Sequence, residues 1–306
     1  MTQETTERTF TVSSPARLAV SNVRGAVRIT PGEPGQISVT AVKHTQTGNA
    51  DRTRLELEQA EDGGVTAAVS FDPDALFFFW NHQPCRVDFI IQVPPTACRI
   101  TAKGVSNSLD LGGLQGEFDL RTVSGEVTLH DLAGGLKLNS VSGDVRGERV
   151  VLTAPLAVET VSGAVHLRES TIPAVRGTTV SGDVMLETTL GAGPYDFSSV
   201  SGDIGLLVPP VTACEMELST LSGDLTTDLV VTSRSRSLGN RYLEINGGGV
   251  EVHVHSVSGS LTIMGALEDV APQAESNFSA PASRQEILER VERGELSVED
   301  ALQQLA

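Results

Sequence analysis

Two features of the sequence bring together side chains that could do chemistry. His253-Val254-His255 sets two imidazoles on one side of an extended segment, as a strand does when it offers a pair of metal ligands. Glu126, Asp144, Asp183, Asp203 and Asp224 recur at near-regular intervals, an acidic ladder that would attract Ca²⁺ or a cationic ligand. Neither develops into a centre. No third ligand flanks the histidines, and the equivalent positions of other repeats hold Asp119, Arg121, Lys137 and Asn139, which belong on a solvent face. The acidic ladder breaks at Ala164 and lacks the Gly-Gly-x-Gly-x-Asp spacing of Ca²⁺-binding repeats. Turn chemistry along a solvated edge accounts for it, and repulsion between stacked acids would discourage mispairing of repeats.

The cysteines Cys85, Cys98 and Cys214 are odd in number and widely spaced, which argues against a disulfide framework or a zinc knuckle. They read as small buried apolar residues. No nucleophile elbow, phosphate loop or His-Glu-x-x-His run is present, and Gly191-Ala192-Gly193 leads into Pro194 rather than a helix. A β-helix enzyme acting on polysaccharide would need clustered carboxylates and stacking rings. Tyr195 and Tyr242 are the only tyrosines, so this alternative ranks last. No catalytic residue, cofactor or metal site is expected.

The chain has 306 residues and a formal net charge of -17, which argues against holding nucleic acid by phosphate neutralisation. No apolar run is long enough for a membrane span, and Met1 to Arg8 lacks the pattern of a signal peptide. The expected location is the cytoplasm, with the cell surface by a non-classical route as the alternative.

The elements that would position these side chains come from a repeat. Val-Ser-Gly followed by an acid, or close variants of it, occurs with its serine at Ser124, Ser142, Ser162, Ser181, Ser201, Ser222 and Ser258, and Val105-Ser106-Asn107 is a degenerate copy. From Ser106 the spacings are 18, 18, 20, 19, 20, 21 and 36 residues, so the last gap leaves room for an eroded copy at Ser237-Leu238-Gly239-Asn240. Three residues after each serine stand Leu109, Val127, Val145, Val165, Val184, Ile204, Leu225 and Leu261. Four before it stand Ala102, Leu120, Leu138, Val158, Gly177, Phe197, Leu218 and Val254. Further apolar columns fall two residues outward on each side, a period of two that excludes helices.

The prediction is an all-β protein, a parallel β-helix-like β-solenoid with two short strands per coil of about 19 residues, closed by a small C-terminal helical hairpin. Gly125, Gly143, Gly163, Gly182, Gly202, Gly223 and Gly259 would supply positive φ at a sharp corner. The hydroxyl column Thr122, Ser140, Thr160, Thr179, Ser199, Thr220 and Ser256 would hydrogen-bond from coil to coil. Length variation at the other edge, as at His130 to Gly134, predicts one regular and one decorated edge.

These well-phased Val-Ser-Gly-Asp-Val units resemble those of the bacterial putative-adhesin β-strand-repeat family, over about residues 10 to 265. The resemblance implies a non-catalytic, adhesin-like scaffold, and some relatives belong to cell-envelope stress systems.

Residues 1–100 read as a β-rich cap on the solenoid, 101–267 as its regular coils, 268–283 as a linker and 284–306 as the helical hairpin. Leu76, Phe77, Phe78, Phe79 and Trp80 cannot all face inward on one strand, so they stand either as a ring cover or as a binding patch. In the tail, Ile287, Leu288 and Val291 share one helix face, and Leu302 and Leu305 belong to a second helix. This tail resembles the SHOCT-like helical module, which implies oligomerisation or tethering. The expected partner is a protein or a second copy, with cationic ligands possible at the acidic edge. A self-polymerising, bactofilin-like cytoskeletal scaffold is the second reading.

Overall fold

Short segments that alternate branched apolar with polar residues can bury their apolar half only by laying one face of a strand on another sheet. The computed structural model describes residues 3–71, 83–237 and 239–266, and every element in them is a β-strand. The N-terminal part holds β1 (Gln3–Thr11), β2 (Ala16–Pro31), β3 (Gln36–His44), β4 (Thr53–Gln59), β5 (Val65–Phe71) and β6 (Arg86–Val93). Then follow β7 (Cys98–Gly112), β8 (Gln115–Thr122), β9 (Val127–Ser140), β10 (Val145–Leu152), β11 (Leu156–Thr160), β12 (Val165–Ile172), β13 (Val175–Thr179), β14 (Val184–Leu190), β15 (Tyr195–Ser199) and β16 (Ile204–Val208). The last are β17 (Cys214–Thr220), β18 (Leu225–Thr227), β19 (Val231–Ser237), β20 (Asn240–Ile245), β21 (Val250–Ser256) and β22 (Leu261–Gly265).

The fold is the expected solenoid. In each coil the chain runs along one strand, turns at the Val-Ser-Gly motif and continues into a second. First strands pair in parallel with first strands, as β11 does with β13 and β13 with β15. Second strands do the same, as β12 with β14 and β14 with β16. The apolar columns face each other between the two sheets and are buried, among them Ile100, Leu120, Val145, Leu167, Phe197 and Ile204. Where glycine interrupts a column, a neighbouring coil fills the space. A Cβ on Gly177 would lie 2.6 Å from the Phe197 ring, and one on Gly147 would lie 2.5 Å from Leu167.

The irregular edge has its own corner. Gly113 (φ 70), Asp131 (φ 53), Arg149 (φ 54) and Glu169 (φ 48) follow aligned residues of successive coils, and all four are left-handed. Arg149 Nε donates to Asp131 Oδ1 at 2.7 Å across this corner. The register slips after Leu167, where the next coil is shorter.

Two findings depart from the sequence reading. The motif glycines do not have positive φ. The chain order is also not the stacking order. β15 and β16 are followed in the stack by β21 and β22, the last coil in the sequence, and only then by β17 and β18. The stretch expected to hold an eroded copy is an antiparallel hairpin of β19 and β20, closed by Ser237 opposite Asn240 and paired onto β17. A reversed strand ends the parallel series, and the chain then returns to fill the place it had left.

The other end is also finished by antiparallel strands. β2 is one whole coil, paired along its length with β7. Beyond it β5 and β6 continue the two sheets in parallel, after which β4 closes one and β3 and β1 close the other. At each end an arginine of an antiparallel strand reaches a backbone carbonyl of another element. Arg8 of β1 donates to Leu57 O of β4 at 2.8 Å, and Arg241 of β20 donates to Gly223 O and, at 2.6 Å, to Asp224.

Candidate functional site

The motif turn is the most repetitive part of the surface, and each of its residues has one task. In four of the coils the small hydroxyl residue that ends the first strand is buried and bonds the glycine three residues on. Ser140 Oγ donates to Gly143 O at 2.7 Å, and Thr179 Oγ1 donates to Gly182 O at 2.8 Å and accepts its N–H at 2.9 Å. Thr160 and Ser199 repeat the contact. At these positions this corrects the expected coil-to-coil bonding, because the hydroxyl bonds its own turn, whereas Thr220 Oγ1 does donate to the next coil, at Val257 O at 3.3 Å. The bonds between coils come from the motif serine. Ser142 N donates to Val123 O at 2.8 Å and its hydroxyl donates to the same oxygen at 3.1 Å, a pattern that Ser124, Ser162, Ser181, Ser201 and Ser258 share.

The glycines stand directly on one another. A Cβ on Gly143 would overlap the carbonyl of Gly125, and the series continues through Gly163, Gly182 and Gly202 to Gly259 and then Gly223. Asn107 holds the first place. Backbone contact, rather than a left-handed conformation, is therefore what demands glycine here. The acids after them hold the next coil by its backbone. Asp144 Oδ1 accepts Ala164 N–H at 3.1 Å, Asp183 accepts Asp203 N–H at 2.9 Å, and Asp203 accepts Ser260 N–H at 2.8 Å. Ser260 in turn separates Asp203 from Asp224, whose N–H donates to its hydroxyl at 3.2 Å. Glu126 pairs with Arg146, and Asp224 with Arg241. The carboxylates of the ladder thus bond the backbone of the next coil or pair with arginines.

The sequence reading missed the residue at the head of the motif. Val105, Val123, Val141, Val161, Val180, Val200 and Val257 are each 44–48% exposed, and Leu221 in the same column is 86% exposed. They form an unbroken apolar stripe across the coils. Their odd offset from the inward columns was legible, since period two puts them outside. Beside the stripe runs a groove of about 680 Å³ walled by Val123, Val141, Val161 and Val180, with Lys103, Arg121, Asn139 and Glu159 along the facing rim. Arg121 is held by Asp119 at 2.8 Å, and this bond keeps the Asp119 carboxyl below its ordinary range. Two buried polar atoms, Thr122 Oγ1 and Asn107 Oδ1, have no hydrogen-bond partner among the described residues.

The other candidates are scattered. His253 Nδ1 lies 3.2 Å from Asp196 Oδ1, and among the described residues no three metal-ligating side chains cluster. Cys85, Cys98 and Cys214 are buried and unpaired, and burial pushes the Cys98 and Cys214 thiols up to about 11. No helix among the described residues is long and apolar enough to cross a membrane. Leu76, Phe77, Phe78, Phe79 and Trp80, and the tail residues Ile287, Leu288, Val291, Leu302 and Leu305, lie outside the described residues.

A stack of two-strand coils carrying one repeated surface turn defines a β-solenoid with a ladder-like face. The sequence profile of the Toastrack DUF4097 family matches residues 16–264, and the chain belongs to that family. Three solved structures are similar to the chain at low identity. A "putative cell adhesion protein" from Clostridium sporogenes is 13% identical over 86% of this chain and 100% of its own, with a TM-score of 0.26. A "putative lipid binding protein" from Parabacteroides distasonis is 14% identical over 86% and 97%, with a TM-score of 0.46. A "putative adhesin" from Bacteroides fragilis is 13% identical over 86% and 97%, with a TM-score of 0.40. No curated protein matches the chain.

Proposed function

We propose that this protein is a non-catalytic, adhesin-like binding scaffold whose contact surface is the valine stripe and its groove. The observation that carries this reading is the unbroken column from Val105 to Val257, half-exposed at every coil. A soluble surface normally scatters such residues. Covering a half-exposed valine is worth about 1 kcal/mol, so a partner that spans most of the column gains several, against the cost of association. The C-terminal segment would add oligomerisation or tethering, and the family resemblance supports a place in the envelope stress response.

The test is a titration with an environment-sensitive apolar dye, comparing the native chain with Val123→Ser/Val141→Ser/Val161→Ser. These side chains are outside the core, so the melting temperature should hold while dye binding falls severalfold. Unchanged dye binding would remove the stripe from the function. Deleting residues 284–306 should change the mass in solution without unfolding the body.

A further inference from the structure

The stripe does not use the strand at the far end of the stack. β19 reads Val-Thr-Ser-Arg-Ser-Arg-Ser and is exposed along nearly its whole length. It pairs with β20 on one side and with no other strand among the described residues. An edge strand keeps alternate N–H and C=O groups pointing outward, ready to pair with another extended chain. Neither Arg234 nor Arg236 is paired with a carboxylate among the described residues, in a chain of net charge -17.

The face on which these arginines stand follows from the register. Arg234 is opposite Leu243, which is opposite the buried Met216, and Arg236 is opposite Arg241, which is opposite the buried Leu218. Cross-strand partners share a face, so both arginines are on the core-facing side. The second sheet ends at the three-residue β18, whereas the first continues through β20 to β19. The arginine face therefore overhangs the end of the core. Arg236, Arg241, Asn240 and Thr220 line a hollow of about 340 Å³ there. Asp224 already engages Arg241, which leaves Arg234 and Arg236 as the cations of this face without a carboxylate partner among the described residues.

We propose that β19 receives an acidic extended segment of another protein as an added strand, with every second side chain a carboxylate that meets Arg234 and Arg236. Strand addition supplies affinity through the backbone, and the alternating side chains supply specificity. A cationic strand would be repelled by the same two guanidinium groups. Charge complementarity also argues against a second copy stacked end to end. At the opposite end the same sheet finishes with β4, where Glu56 and Glu58 are on the solvent face and Leu55 and Leu57 are on the other. Continuing the sheet from β19 into β4 would set Arg234 and Arg236 beside leucines, since a period of two fixes the face.

The test uses the full chain and a fluorescent seven-residue peptide of alternating Glu and Val, the length of β19, followed by anisotropy at low salt. The peptide should bind, and Arg234→Glu/Arg236→Glu, which alters only exposed side chains, should weaken it at least about tenfold. The Lys-Val counterpart should not bind. N-methylation of alternate peptide residues keeps every charge and removes the ladder donors, so it should also weaken binding about tenfold. Full retention by the methylated peptide would overturn the proposal in favour of a general polyanion patch. Retention by the charge-reversed protein would overturn it outright. Sedimentation without peptide supplies the last arm: a self-associated species that Arg234→Glu/Arg236→Glu dissolves would assign β19 to a second copy instead.

Discussion

Gly182→Ala separates two reasons for a recurring glycine within one molecule. The new Cβ would overlap the carbonyl oxygen of Gly163, lie 3.0 Å from its carbon and lie 3.2 Å from Thr179 Oγ1. The obstacle is backbone, which cannot swing away as a side chain does, so the two coils must part by about 1 Å. The bonds that hold them there are short: Ser181 N to Val161 O at 2.8 Å and Val165 N to Asp183 O at 2.8 Å. Losing or stretching two such bonds costs about 2 kcal/mol, and the local overpacking adds about 1–3. The stiffer unfolded chain of the alanine variant returns about 0.4–1, leaving a net loss of about 2–5 kcal/mol. Gly63→Ala is the internal control. Gly63 has φ of 81° and nothing within 4 Å of its would-be Cβ, so only the left-handed backbone opposes the change, at about 1 kcal/mol. Urea midpoints by circular dichroism, with hydrogen exchange at Ser181 and Ser201 to locate the opening, would compare the two. If Gly182→Ala lies within about 1 kcal/mol of the native chain, glycine stacking is not what closes the turn.

Other changes follow from the same geometry. Thr179→Val keeps the shape but leaves the Gly182 N–H and carbonyl without the hydroxyl that joins them, and should cost about 1–3 kcal/mol in denaturant titration. The Cys98 and Cys214 thiols, buried and pushed to about 11, should resist a thiol reagent at about pH 8 until the protein unfolds, and rapid native labelling would contradict their placement. Burial alone would raise the Asp88 carboxyl, but bonds from Arg86, Ala26 N–H and His44 outweigh it and hold it below the ordinary range. A depressed carboxyl stabilises the fold above its unfolded value of about 4 and loses that contribution as pH falls through its folded value, so Asp88→Asn should flatten the acid limb of a stability-against-pH curve.

How far the sequence reaches is clearest from particular residues. Alternation around each motif serine determines which side chains are inside, and Ile100, Leu120, Val145 and Phe197 are buried as that pattern requires. The same alternation places Val123 and its equivalents outside, although only their alignment across coils makes them a stripe. The motif also marks a turn, but not why glycine is needed, because the clash that excludes a Cβ comes from a coil 18 to 20 residues away, or farther where the chain doubles back.

The order of the coils lies beyond any local pattern. Every coil carries the same apolar columns, so each matches many neighbours equally well in register. Only the structure shows β21 and β22 between β15–β16 and β17–β18, and the glycine contacts follow that order from Gly202 to Gly259 to Gly223. The antiparallel hairpin of β19 and β20 takes the end of the stack, and pairing between residues distant in sequence decides the rest. Side-chain periodicity is fixed within one coil by backbone geometry. Neighbour choice depends on nonlocal hydrogen bonding and on how the open ends are closed, and these exist only in the assembled tertiary structure.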